Sequence, residues 1–566
     1  MAGTDTIAYF SMEIGRAEAI PTYSGGLGML AGDTVRSAAD ASLPMVAVSL
    51  VHRKGYFRQR LDSAGNQTEE PASWPLEALL TPSGACCTLE IEHRIITLRG
   101  WRYAVRGVSG AVVPVILLDA DLPENEPQDR RLTDFLYGGD DRYRLCQELI
   151  LGVGGVRMLR ALGYDAIRHF HMNEGHASLL VIELAHELAA REGTGITDGI
   201  VHRVKALCTF TTHTPVPAGH DQFPLILVRQ VITGYGSEFA TRAEQFCLDR
   251  ILNMTYLALD NSHYINGVAK THGELSRHMF AQYKIDSITN GVHVATWACP
   301  AMTALFDRHI ATWREDNASL RYALGIPKQE VWAVHQTAKQ ELLLLVHEHS
   351  GVALPSETFK VGFARRATAY KRADLLFDDT ARLCAIAETA GPIQVIFTGE
   401  AHPRDESGKH MIRRLFGAIA ELRDRIRVVY LEEYDMRLAR RLVAGVDIWL
   451  NTPQPPLEAS GTSGMKAAVN GVPQLSILDG WWAEGCIEGV TGWGIDSDGG
   501  KGAVADDRTV DANSLYSKLE AVILPLYYRE QDRFIDVMRH AIALNGSFFN
   551  TERMVDQYVR KAYFAS

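Results

Sequence analysis

The chain has 566 residues, 46% hydrophobic and 22% charged, a globular composition too long for one ordinary core and suited to two or three domains. Lys plus Arg number 57 against 68 Asp plus Glu, a formal net charge of -11. That balance excludes a general nucleic-acid binder with a basic face, though not a small basic pocket for an anion. The eight cysteines contain no C-x-x-C pair and predict reduced core thiols. No leader or N-terminal extension is expected, because Thr6–Phe10 reads as a strand with no basic and apolar run before it. The run Leu342–Val346 is too short to span a bilayer, so a cytoplasmic protein without membrane or nucleic-acid partners is expected.

Short β-branched or aromatic runs alternate with longer helical patterns along the whole chain. In the first half, strands are predicted at Thr6–Phe10, Met45–Val51, Val112–Leu118, Ala166–His171 and Ala206–Thr212. Helices are predicted at Leu27–Ala41, Arg142–Leu162, Ala177–Ala190 and Val268–Gln282. The segment Ala295–Pro327 has no clear strand and is taken as the division, giving domains 1–305 and 306–566. The second half repeats the style, with strands at Phe359–Ala364, Ile393–Thr398, Ile426–Leu431 and Asp447–Leu450. Its helices are expected at Arg372–Ala387, Lys409–Glu421, Met436–Ala444 and Ser463–Asn470. The pattern is that of an α/β fold with two facing, doubly wound Rossmann-like domains and a ligand cleft at the carboxyl ends of the strands.

Six of the nine residues in Glu458-Ala-Ser-Gly-Thr-Ser-Gly-Met-Lys466 are small, and the segment lies between a strand and a helix. Such a turn exposes backbone amides to an anion, and a lysine one turn into the helix suits a Schiff base with an aldehyde cofactor. On spacing alone, a helix cap followed by a surface lysine is the more ordinary reading of the segment. A second cluster, Arg365-Arg366-Ala-Thr-Ala-Tyr370-Lys371-Arg372, sets four cations within eight residues after a strand. Cations crowd there if an anion must be neutralised, unless the stretch is simply basic and solvated. The loop Tyr23-Ser-Gly-Gly26-Leu-Gly28 has glycines that let amides approach an anion, or that merely turn the chain. His169, His171 and His176, and the pair His347 and His349, lack the spacing of a complete zinc site, so no metal is expected.

The stretch Glu458–Lys466, continuing through Asn470-Gly471 to Leu478-Asp479-Gly480, resembles the cofactor segment of the glycogen (α-glucan) phosphorylase family in its shorter form. The resemblance implies a B-type glycosyltransferase fold with the active site between the domains. The first domain would contribute the glucan and glycine-loop side, and the second the pyridoxal 5'-phosphate and phosphate side. It implies pyridoxal phosphate on Lys466, flanked by Arg365, Thr462, Ser463, Tyr434 and Trp297. Arg366, Lys371 and the Gly26 amide would bind the substrate phosphate. Asn290, Tyr370, Glu458, Ser460 and Gly461 would face the sugar, and His213 of Thr211-Thr-His-Thr-Pro215 would lie beside the glucosyl unit. Asn173-Glu-Gly-His176 resembles a motif near the entrance, and Glu433 precedes Tyr434.

The activity implied is phosphorolysis of an α-1,4-glucan such as glycogen or maltodextrin to α-glucose 1-phosphate with retained configuration. The runner-up is a nucleotide-sugar-dependent glucan synthase of the same fold. Such synthases often place a second glutamate where Lys466 stands, which disfavours that function here. A non-catalytic glucan-binding relative and a pyridoxal-dependent amino-acid enzyme are less favoured still. Chain length of the glucan, direction, regulation and any homo-oligomeric state are left open.

Overall fold

In the computed structural model, residues 6–215, 219–235, 247–495 and 508–564 are described. The first half carries β1 (Thr6–Ser11), β2 (Met45–Leu50), a hairpin of β3 (Arg58–Leu61) and β4 (Gln67–Glu70), then β5 (Thr81–Ile91), β6 (Arg94–Arg106), β7 (Val112–Asp119), β8 (Ile167–Asn173) and β9 (Cys208–Thr211). A small antiparallel group, β10 (Gln222–Pro224), β11 (Cys247–Leu248) and β12 (Ile251–Asn253), precedes β13 (Tyr264–Gly267) and β14 (Asp286–Ser287). The second half holds β15 (Phe359–Ala364), β16 (Ile393–Thr398), β17 (Arg427–Leu431), β18 (Ile448–Asn451), β19 (Gln474–Ile477) and β20 (Gly492–Ile495).

Among the described residues these strands form two large sheets. The first runs β14-β13-β9-β8-β1-β2-β7-β6-β5, parallel from β14 to β7 and antiparallel over β7-β6-β5. The second runs β17-β16-β15-β18-β19-β20 and is parallel throughout. Every residue of β2, β15 and β16 is buried, because helices cover both faces of a parallel sheet. That is why these strands read as unbroken apolar runs. The order reverses at β1 in one sheet and at β15 in the other, and such switch points open a crevice at the carboxyl ends.

Where the structure departs from the sequence expectations, local chemistry explains it. The predicted helix Arg372–Ala387 breaks into short turns, and Asp379 restarts a helix at Thr380–Thr389 by accepting from the Arg382 amide at 2.8 Å. Within the predicted helix Arg142–Leu162, a π-helical stretch at Ile150–Gly154 packs so tightly that a Cβ on Gly152 would meet the Leu180 nitrogen at 2.6 Å. The predicted strand Ala206–Thr212 begins only at Cys208, after the helix Asp198–Leu207 ends. The long hairpin β5–β6 escapes a search for apolar runs because partly exposed polar residues alternate through it.

Packing does not follow one cut in the chain. Val292, Trp297, Leu305 and Trp313 join the core of the second sheet, whereas Met554, Val555, Tyr558 and Tyr563 return to the first. The returning segment is tied down by Tyr563 Oη against His171 Nδ1 at 2.5 Å and by Tyr558 Oη against Thr211 Oγ1 at 3.0 Å. No helix among the described residues is long and apolar enough to cross a membrane.

Candidate active site

Several of the sequence candidates lie on loops that leave the carboxyl ends of strands in the two large sheets. Glu174 follows β8, His213 follows β9, Arg365 and Arg366 follow β15, Tyr434 follows β17, and Glu458 follows β18. The helix Gly26–Asp40 starts after the glycine loop without a side-chain cap, so its first amides stay available. Space is open where a Cβ on Gly26 would lie, and a Cβ on Gly25 would meet Arg366 Nη2 at 3.2 Å.

Lys466 sits on the helix Ser463–Val469 and is buried. Its Nζ lies 3.7 Å from the centroid of the Trp297 ring, and no described carboxylate pairs with it within 4.0 Å. Burial lowers the amine to about 8, with Asp33 opposing the shift and Arg36 assisting it. Trp297 Nε1 donates to Asp33 Oδ2 at 2.7 Å, which fixes the ring. Asn470 ties the two segments together, donating to the carbonyls of Trp297 and Lys466 at 2.8 and 2.9 Å. Ser463 Oγ accepts from Trp449 Nε1 at 3.1 Å, whereas the Ser460 hydroxyl is buried without a hydrogen-bond partner. Thr462 and Gly461 line the turn, and Gly461 needs its φ of +81° because it folds the chain over Glu458.

The four clustered cations do not act as one patch. Glu458 Oε2 pairs with Arg365 Nη2 at 2.7 Å and with Lys371 Nζ at 2.5 Å. Burial alone would raise the Glu458 carboxyl, but the two cations hold it below its ordinary value. Arg365 Nη1 also donates to Asn451 at 3.1 Å, and Lys371 Nζ lies 4.3 Å from the Tyr370 ring centroid. Tyr434 is next to Arg365, whose charge opposes the burial that raises its phenol. Arg372 takes a φ of +44° and turns away to Asp511 at 2.7 Å and to two backbone carbonyls. Arg366 is exposed, has no carboxylate partner among the described residues, and reaches Ser24 Oγ at 3.0 Å.

On the opposite side three uncharged side chains are linked in series, next to the Glu174 carboxylate. Ser11 Oγ donates to the Glu13 carbonyl, so it accepts from Asn173 Nδ2 at 3.1 Å. Asn173 Oδ1 is then the acceptor for His213 Nε2 at 2.7 Å, which leaves His213 Nδ1 carrying the lone pair. Burial lowers the imidazole to about 4, against Glu174, so it is neutral near pH 7. Glu174 Oε2 accepts from the His213 amide at 2.8 Å. Asn290 stands apart from these networks: its Oδ1 is buried without a partner, and its carbonyl accepts from Arg553 at 3.0 Å.

Several groups of the site escaped the sequence reading. Glu13 holds the glycine loop by accepting from the Ser24 amide at 2.6 Å and from Tyr137 Oη at 2.9 Å. Asp33 anchors Trp297, and Asp479, which the sequence motif included without a role, receives the Glu458 amide at 2.9 Å. Glu400 follows β16 beside the cations, where burial and Glu433 push its carboxyl up to about 8 against the pull of Arg366. One signal existed for Asp33: it is the first charged residue of its helix, directly after the small and apolar run Gly26–Gly32.

The sequence profile described as Carbohydrate phosphorylase matches residues 238–486. A maltodextrin phosphorylase of Thermococcus litoralis is 38% identical over 99% of this chain and 70% of its own length. A glycogen phosphorylase of Mycobacterium bovis is 37% identical over 98% of the chain and 70% of its own length. One from Aquifex aeolicus is 34% identical, with 98% and 86% covered. With likeness of that depth along nearly its whole length, and with two parallel-sheet halves meeting at a lysine-bearing glycine-rich turn, the chain belongs to the carbohydrate phosphorylase family.

Proposed function

We propose that the chain is an α-1,4-glucan phosphorylase carrying pyridoxal 5'-phosphate on Lys466. It would convert glycogen or maltodextrin and inorganic phosphate into α-glucose 1-phosphate and a glucan one unit shorter. Family membership carries this reading, and the relatives' names supply the substrate class. The residues around Lys466 fit the cofactor. A buried amine without a counter-ion, lowered to about 8, is partly unprotonated at neutral pH and so can condense with an aldehyde. The Trp297 face offers a flat wall, and the unpartnered Ser460 hydroxyl, Thr462, Ser463, Tyr434 and Arg365 offer polar contacts around it. When bound, the cofactor supplies a phosphate group that can exchange a proton with the substrate phosphate.

The chain's own residues then have distinct tasks. Arg366, exposed and uncommitted, meets the incoming phosphate together with the Gly26 amide at the open helix start. Lys371, shared with Glu458, adds a cation whose field grows when the cleft excludes water. Glu458, Tyr370, Ser460 and Gly461 orient sugar hydroxyls, Asn290 with its free Oδ1 accepts from the 6-hydroxyl, and neutral His213 presents its Nδ1 lone pair to the glucosyl unit. The glycosidic bond breaks as the leaving oxygen takes the proton of hydrogen phosphate. A phosphate oxygen closes on the anomeric carbon from the same face, so configuration is retained.

The test is direct. Protein reconstituted with pyridoxal phosphate, reduced with borohydride and peptide-mapped, should carry its adduct on Lys466. The same preparation should release glucose 1-phosphate from maltodextrin and phosphate. An adduct on another lysine, or no phosphorolysis, overturns the reading.

A further inference from the structure

The hairpin β3–β4 belongs to the first half in sequence, yet its side chains end in the second. Leu61 packs with Ala367, Ala401, Ile412, Phe416 and Tyr430 in a small separate cluster. A Cβ on Gly65, at the tip, would meet the Phe416 ring at 2.6 Å. Arg60 pairs with Glu433 at 3.2 Å, and Lys409 reaches back to Glu69 at 2.9 Å.

Two glutamines form the centre of this contact, and both are buried. Gln59 Nε2 donates to Gln67 Oε1 at 3.0 Å and to the Gly399 carbonyl at 2.9 Å. Gln67 Nε2 donates to Glu69 Oε1 and to the Ala401 carbonyl, both at 2.8 Å, and Gln67 Oε1 accepts from the Ala401 amide at 3.0 Å. Gln59 Oε1 receives the Glu433 amide at 3.3 Å. Every amide hydrogen of the pair is therefore used, and a pair of buried, fully satisfied amides defines one geometry. A merely space-filling contact would need none of this polarity.

The loop so held, Gly399–Ala401, is zipped to the cation-bearing turn. Arg365 N donates to the Thr398 carbonyl at 3.2 Å, and Ala367 N to the Glu400 carbonyl at 2.8 Å. Contact is close enough that a Cβ on Gly399 would sit 1.9 Å from the Arg365 carbonyl, and one on Gly408 would sit 2.2 Å from the Ala367 carbonyl. Arg366 lies between these two pinned residues. The position of its guanidinium thus depends on a stack whose base is the glutamine pair of the other half.

We propose that Gln59 and Gln67 are positioning residues for phosphate: from the first half of the chain they set the loop that aims Arg366. This rests on the phosphorolysis reading for its substrate. It assigns to the hairpin a task distinct from the glucan contacts.

The variants Gln59→Met and Gln67→Met keep side-chain volume and remove the hydrogen bonds. Kinetics with maltodextrin and inorganic phosphate should show the phosphate KM raised about fivefold to tenfold, the scale of one to two lost hydrogen bonds. The maltodextrin KM should stay within about twofold, since no hydrogen bond of the pair touches the His213 side. A lower Tm with both KM values unchanged would make the pair merely structural and overturn the proposal. Equal rises in both KM values would overturn it too. Thermal protection by inorganic phosphate alone is the second readout, independent of turnover. The wild type should be protected and the Met variants less so. If the wild type releases no glucose 1-phosphate, the functional reading fails, and equal phosphate protection of wild type and variants, or none in either, still overturns the positioning role.

Discussion

On the first-half side of the cleft, His213, Asn173 and Ser11 form a chain of neutral hydrogen bonds with one possible assignment of donors. On the second-half side, Arg365, Lys371 and Glu458 form a buried charge network, with Arg366 left over and exposed. The contrast matches what each side is proposed to hold. A neutral chain orients hydroxyls without attracting counter-ions, whereas a dianion needs fixed positive charge in a place that water can leave. It also separates two kinds of cation: those whose charge is balanced by a carboxylate within ion-pair distance, and Arg366, which has none among the described residues.

The largest expected effect tests the anchor of the charged side. Lys466→Ala should fold, retain no reducible pyridoxal adduct, and lose phosphorolysis by a factor on the order of 10⁴, the scale seen when one member of a catalytic unit is removed. Glucose 1-phosphate release and adduct mapping check it.

Next comes the division among the cations. Arg366→Ala should weaken phosphate use by roughly 2 kcal/mol, about thirtyfold, with little change in Tm, because no described carboxylate lies within ion-pair distance of Arg366. Lys371→Ala should weaken phosphate use by about as much and also lower Tm, because Glu458 then keeps only Arg365 as its cation. Phosphate kinetics with thermal melts on both variants would decide it; equal Tm losses would erase the distinction between the two kinds of cation.

The neutral side is tested with the donor in the synthesis direction. Xylose 1-phosphate lacks the hydroxymethyl arm and should be a far poorer donor than glucose 1-phosphate, because the buried Asn290 Oδ1 then stays unpaired. Asn290→Ala should lose much of that discrimination, by roughly 1–3 kcal/mol. Equal use of both donors by the wild type would remove the glucose-specific role of this pocket.

The smallest effect is a pH trend. Glu400 titrates near 8 in the folded chain, above an unfolded glutamate, so its protonated form is the one the fold favours. Its contribution to stability is present at low pH and is lost as pH rises through about 8. Ionisation there also places a negative charge near Arg366, so the phosphate KM should rise modestly between pH 7 and pH 9. Glu400→Gln should flatten that trend, and an unchanged slope in this variant would assign it to another group.

Much of the fold was legible because buried parallel strands are nearly pure apolar runs. Phe359–Ala364 and Ile393–Thr398 are observed with the expected bounds, and the helix Met436–Gly445 begins where its pattern starts, capped by Asp435. The hairpins were not legible in the same way. Gln59 and Gln67 look like surface polar residues in a sequence, and only their fit to the carbonyls of Gly399 and Ala401 makes them interior.

The sequence by itself determined the family and the two α/β halves and supplied candidate site residues, since these depend on local spacing and on side-chain type. Pairing was decided by the tertiary structure. Which of four adjacent cations is balanced depends on Glu458, which lies 87 residues from Lys371 along the chain, and on Asp511, which takes Arg372 away. Trp297 is held against Lys466 by Asp33, from a helix far away along the chain, and by Asn470, at the end of the helix that carries Lys466. Charge balance and orientation are set by contacts between remote segments, and a pattern read along the chain carries no record of them.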